Sequence, residues 1–120
     1  MKKVLIIDDD ASTRFVLYKL MNSIEFITVM ADSAELGLSI LKVNKDFDLI
    51  ITDMVMEGMS GAEFVNTIQD HTVFPKIPVI ICSGMVAMED VMKCLNAGVE
   101  LFVEKPINGQ NLKNKILNLF

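Results

Sequence analysis

Short aliphatic runs that end on a polar side chain recur along the chain, and they leave few ways to fold it. Val4-Leu5-Ile6-Ile7 runs into Asp8-Asp9-Asp10, and Asp48-Leu49-Ile50-Ile51-Thr52 runs into Asp53. Pro78-Val79-Ile80-Ile81-Cys82 ends on Ser83, and Val99-Glu100-Leu101-Phe102-Val103 leads to Lys105-Pro106. Near-continuous β-branched and aliphatic runs are strands buried on both faces, as in a parallel sheet covered by helices. Sites in such sheets form outside the carboxyl ends of the strands, where strand order reverses. Acids, a hydroxyl and a lysine therefore converge on one edge.

Carboxylates gathered there resist ionising together unless a cation sits among them. An all-oxygen set suits Mg2+, which shares phosphate oxygens. The lysine is then a point charge for a phosphoryl group and Ser83 a neutral donor to it. These residues point to a Mg2+-dependent site in which Asp53 is the nucleophile that accepts a phosphoryl group.

The segments between these runs read as helices. Asp10 or Ser12 caps a helix to about Ser23 with the stripe Phe15, Val16, Leu20 and Met21. After a second strand at 26–30, Asp32 and Glu35 have capping-box spacing, followed by Leu36, Ile40 and Val43. Ser60 and Glu63 make another such box before Phe64, Val65 and Ile68. Pro75 and Pro78 break the loop at 71–76, and a strand follows at 77–82. Met88, Val91, Met92 and Leu95 form a further stripe, with Gly98 placed as a helix terminator. A strand at 99–103 and a helix with Leu112, Ile116, Leu119 and Phe120 complete the pattern. Alternating strands and helices make an α/β, doubly wound, five-stranded parallel sheet with five helices.

The 120 residues, 52% hydrophobic, read as one domain, 1–120, that buries about 65% of its unfolded surface without a disulfide or metal staple. A net charge of −5 argues against direct nucleic-acid binding, which rests on clustered Lys and Arg. Cys82 and Cys94 are too few for a disulfide framework, so a reduced, cytoplasmic setting is expected, with both thiols in the core. Lys2-Lys3 and four apolar residues before three aspartates do not make a signal peptide, and no apolar run has membrane-spanning length.

The residues closely resemble the receiver domain of two-component response regulators, the CheY-like, flavodoxin-like fold with strand order 2-1-3-4-5. The resemblance covers essentially the whole chain and matches separated positions in the right order. It implies that Asp8 and Asp9 hold Mg2+, that Asp53 is the phosphoacceptor and a metal ligand, and that Val55 lends a backbone carbonyl to the metal. Ser83 and Lys105 are the matching hydroxyl and lysine, with the Lys105–Pro106 bond cis. Phe102 matches the aromatic that turns with Ser83 on phosphorylation, although it lacks the hydroxyl of the tyrosine often found there. The implied donor is a sensor histidine kinase or a phosphotransfer protein. The implied output is a downstream protein target or effector domain that reads the face formed by residues 87–119. The domain would be a monomer, with a phosphorylation-dependent homodimer as a further state. It would catalyse its own phosphorylation and dephosphorylation without being an enzyme for external substrates. Glu57 replaces a common proline and adds a carboxylate near the metal. Val55 and Met85 stand where the family tunes phosphate loss; both are apolar, which implies a long-lived adduct, read as its half-time once donor is removed.

Three other functions fit parts of the chain. A pseudo-receiver would keep the fold as a binding module without phosphorylation, against the intact acid, hydroxyl and lysine set. An aspartyl-phosphate phosphohydrolase needs a second acid two residues after the nucleophile, where this chain has Val55. A flavin site wants glycines and backbone donors in the first loop, where this chain has acids. Asp10 reads as a cap, His71 as an inert loop residue, and Met54, Met56 and Met59 as structural filling. Glu89, Asp90 and Lys93 read as the wet face of a helix.

Overall fold

The computed structural model describes residues 1–84 and 86–120, so Met85 lies outside the described residues. The strands are β1 (Lys3–Ile7), β2 (Ile27–Ala31), β3 (Leu49–Thr52), β4 (Val79–Ser83) and β5 (Leu101–Glu104). The helices are α1 (Ala11–Ser23), α2 (Ala34–Val43), α3 (Gly61–Ile68), α4 (Met88–Asn96) and α5 (Gly109–Leu117). All strand pairs are parallel, in the order β2-β1-β3-β4-β5. The doubly wound α/β sheet expected from the aliphatic runs is therefore the observed one.

Strand side chains alternate between two cores. Leu5, Ile7, Ile50, Val79 and Ile81 face α2, α3 and α4, where they meet Leu38, Leu41, Phe64, Val65, Ile68 and Cys94. Val4, Ile6, Leu49, Ile51, Ile80 and Cys82 face α1 and α5, against Leu17, Met21, Leu112 and Ile116. Burial on both faces explains why β1, β3 and β4 read as unbroken apolar runs, whereas the edge strands β2 and β5 are only partly covered.

Local signals set the helix starts. Asp10 caps α1 by accepting from the Ser12 amide, and Ser60 and Glu63 form the expected reciprocal box at α3. At α2 the cap is Ser33, which accepts from Leu36 N, rather than the expected Asp32. Gly98, just past α4, takes φ +101, a conformation that favours glycine. A side chain at Gly61 would collide with the Asp53 carbonyl and the Met54 Cα, so glycine lets α3 begin directly against the end of β3.

Three helix faces differ from those expected. On α1, Leu17 and Met21 are buried, while Phe15 and Val16 are exposed. On α2, Ala34, Gly37, Leu38 and Leu41 point inward, and Leu36 and Val43 point outward. On α4, Cys94 is the buried residue, and Met88, Met92 and Leu95 stand in solvent. In each helix, apolar residues lie on more than one side. The spacing rule then picks out a stripe without showing which side the sheet covers. Leu119 and Phe120 lie beyond α5 and are partly exposed, with Phe120 edge-on to Phe26 at 5.8 Å.

Candidate functional site

Strand register carries the polar residues to one edge. Ile7 lies beside Thr52, so Asp8 and Asp53 leave adjacent strands together, and the Asp53 amide bonds to the Ile7 carbonyl at 3.0 Å. Ser83 ends β4 opposite Glu104, and the Lys105 amide bonds to the Ser83 carbonyl at 2.7 Å. The buried polar residues among those described are Asp8, Thr52, Asp53 and Ser83, all at the carboxyl ends of strands. Buried polar groups demand partners, and here Ser83 and Thr52 bond to Asp53 while Asp8 is met by Lys105 and the Asp10 amide.

Asp53 is 8% exposed and held on both oxygens. Its Oδ1 accepts from the Met54 amide at 2.7 Å, Ser83 Oγ at 2.7 Å and the Val55 amide at 3.4 Å. Its Oδ2 accepts from Lys105 Nζ at 3.2 Å, and the same ammonium reaches Asp8 Oδ2 at 3.0 Å. Asp8 Oδ1 accepts from the Asp10 amide at 2.9 Å. Burial pushes the Asp8 carboxyl above its usual value, against the opposing pull of the Asp10 amide and Lys105. Burial also pulls the Lys105 ammonium down, but its bond to Asp8 and the charges of Asp8 and Asp53 together outweigh that and leave it raised.

Asp8, Asp9 and Asp53 each offer an oxygen within 4.8 Å of the others. That all-oxygen donor set fits a hard divalent cation. One ammonium shared by buried carboxylates leaves negative charge uncompensated, which is a second reason for the fit. Asp9 is exposed and so reachable from solvent.

The structure thus brings together Asp8, Asp9, Asp53, Ser83 and Lys105. Val55 follows at the rim, 65% exposed, and Glu57 is exposed in the same loop. Phe102 on β5, half-buried and paired with Ile81 of β4, packs against the core under α2, α3 and α4. The Lys105–Pro106 bond is cis. Asp10 is occupied as a cap, with Oδ2 taking the Thr13 hydroxyl at 2.8 Å, and these bonds to Thr13 and Ser12 lower its pKa. Met54 and Met56 are buried filling, and His71 Nδ1 faces the Phe74 carbonyl at 3.2 Å. Cys82 and Cys94 are free and buried.

One residue of the site region is missing from the sequence reading. Arg14 Nη1 donates to the Asp8 carbonyl at 2.7 Å. A main-chain acceptor leaves no trace in residue types. The available signal was a cation near the start of α1, where the helix dipole disfavours positive charge.

The response regulator receiver domain family matches residues 4–117. Chemotaxis protein CheY-3 of Vibrio cholerae is 30% identical over 119 residues, covering 98% of this chain and 91% of that protein. The two-component response regulator-like protein PRR37 of Oryza sativa subsp. indica is 36% identical over 113 residues. That match takes in 93% of this chain, which spans 15% of the rice protein's length. A response regulator receiver domain protein from Clostridium thermocellum superposes with a TM-score of 0.88 at 27% identity, covering 98% of this chain and 93% of that one. Among the described residues, no helix is long and apolar enough to cross a membrane. With the fold, strand order and matched length in agreement, the chain belongs to the receiver-domain family of two-component response regulators.

Proposed function

We propose that this receiver domain is a phosphorylation-controlled switch in which Asp53 accepts a phosphoryl group from a sensor histidine kinase or a phosphotransfer protein. The observation that carries this reading is the two-sided hold on Asp53, a hydroxyl 2.7 Å from one oxygen and an ammonium 3.2 Å from the other. Oδ1 accepts from Ser83 and two amides while Oδ2 accepts from Lys105 alone, so Oδ2 is the attacking oxygen. It forms a P–O bond as the P–N bond of phosphohistidine breaks, and the electron pair stays on the imidazole nitrogen. Lys105 then neutralises the phosphoryl oxygens, and Ser83 shifts its hydroxyl from Oδ1 to one of them. Charge neutralisation and orientation of the phosphoryl group are what Mg2+ supplies when held by Asp8, Asp9, Asp53 and the Val55 carbonyl.

The adduct adds a charge of roughly −1.5 to −2, which biases a two-state element only if one state pairs it better. Ser83 and Phe102 on neighbouring strands are the switch elements in this reading. The output face spans residues 87–119, where Met88, Met92 and Leu95 of α4 are exposed apolar side chains suited to a downstream protein. Incubation with a small phosphoryl donor, read by intact mass, tests the chemistry. A single adduct is expected with Mg2+, none with chelator, and none in Asp53→Asn. Wild type without an adduct under any condition would instead point to a module that binds constitutively.

A further inference from the structure

Arg14 is the chain's only arginine, and its place in the fold is unexplained by helix stability. It lies near the amino end of α1, whose first turn contains no acidic residue. A cation there opposes the helix dipole. Its guanidinium instead reaches back across the turn to the Asp8 carbonyl, a charge-assisted bond of 2.7 Å. That carbonyl belongs to the peptide joining Asp8 to Asp9. Holding that carbonyl restricts ψ of Asp8 and φ of Asp9, and so narrows the directions in which both side chains leave the backbone.

The other restraints on this turn are weaker guides for the acid pair. The Asp8 amide is tied to the Ala31 carbonyl at 3.1 Å, which anchors the start of the turn to β2. Both oxygens of Asp8 are engaged, one by the Asp10 amide and one by Lys105. A cation taking an Asp8 oxygen would compete with one of those bonds. The Arg14 bond goes to the main chain and is compatible with either arrangement.

We propose that Arg14 is a positioning residue that holds the Asp8–Asp9 peptide so that both carboxylates face Asp53 for a divalent cation. The inference rests on the reading of this site as a Mg2+ site. Electrostatics alone makes the opposite prediction, because removing a positive charge bonded to the turn that carries Asp8 and Asp9 strengthens cation binding. The sign of the effect therefore separates positioning from charge.

The test is the dependence of the unfolding midpoint on Mg2+ for wild type and Arg14→Met, each referred to its own midpoint in chelator. Positioning predicts that Arg14→Met needs about tenfold more Mg2+ for the same stabilisation, the usual loss when a partner orienting a ligand is removed. A purely structural role would lower the midpoint in chelator and leave the Mg2+ dependence unchanged. An unchanged or tighter Mg2+ dependence overturns the proposal. If Arg14→Met folds poorly, Arg14→Lys carries the same test, since it keeps the charge and loses the fork; Mg2+ affinity equal to wild type would then count against positioning. Wild type whose midpoint does not respond to Mg2+ overturns the metal reading and this inference together. A wild type that responds to Mg2+ but takes up no phosphoryl group leaves the inference standing and sinks only the phosphoacceptor role.

Discussion

Lys105 bridges two carboxylates that would otherwise repel each other across the ends of β1 and β3. The bridge is incomplete compensation, and Asp8 shows the consequence. Its folded pKa is raised above 3.8, chiefly by burial, so at neutral pH the charged form opposes folding. Asp8→Asn removes that charge while keeping an acceptor for the Asp10 amide. In chelator its unfolding midpoint is expected to rise. The gain shrinks as pH falls toward 3.8, where the wild-type carboxyl is protonated. With Mg2+ the order reverses, because only wild type keeps the full ligand set. A lower midpoint for Asp8→Asn in chelator would contradict the burial argument.

Cys82 gives a second pH test at the same scale. Burial pushes its thiol from 9.0 up to about 12, with the nearby charges making smaller contributions. Through that window the unfolded chain loses a proton that the folded chain keeps, so stability falls as pH rises, by at most about 1.4 kcal/mol per unit. Denaturant titrations from pH 9 to 12 should show a shallower decline for Cys82→Ala than for wild type. Equal slopes would mean that the thiol does not hold its proton. The convergence of Asp8, Asp9, Asp53, Ser83 and Lys105 was legible in the sequence because each ends a recognisable strand or lies within two residues of its carboxyl end. Arg14 was not, because its partner is a carbonyl oxygen six residues back.

At the scale of elements, the central strands β1, β3 and β4 were more legible than the helices, and the reason is burial. A strand covered on both faces must be apolar throughout, so its extent is written in composition. A surface helix declares its inner face only if its outer face is polar. That condition holds for α3, where Phe64, Val65 and Ile68 are buried as expected. It fails for α4, where Met88, Met92 and Leu95 form the obvious stripe yet face solvent. Substitution tests the assignment directly. Met92→Lys should change stability by no more than about 0.5 kcal/mol, whereas Cys94→Lys should cost more than about 2 kcal/mol by burying a charge. Comparable losses in denaturant melts would mean that the stripe packs inward. The cap of α2 fell to Ser33 instead of its neighbour Asp32 because both residue types cap well and spacing does not separate them.

For the whole molecule, the order β2-β1-β3-β4-β5 joins fold and site. From β1 the chain goes first to one neighbour and then crosses to the other, so the carboxyl ends of β1 and β3 open side by side. β4 and β5 extend the same edge with a hydroxyl and a lysine. The topology was legible through the family pattern of separated residues, because apolar runs alone do not specify strand order. Added phosphate on a chain of net charge −5 must be paired locally, and Ser83 and Lys105 are the groups at hand. The most direct measurement is to treat the phosphorylated protein with borohydride, which reduces an acyl phosphate to an alcohol, and to locate the change by fragmentation mass spectrometry. The mechanism predicts reduction at residue 53 alone, dependent on Mg2+. Reduction at Asp8, Asp9 or any other acid, or none at all in protein that carries an adduct, would contradict it.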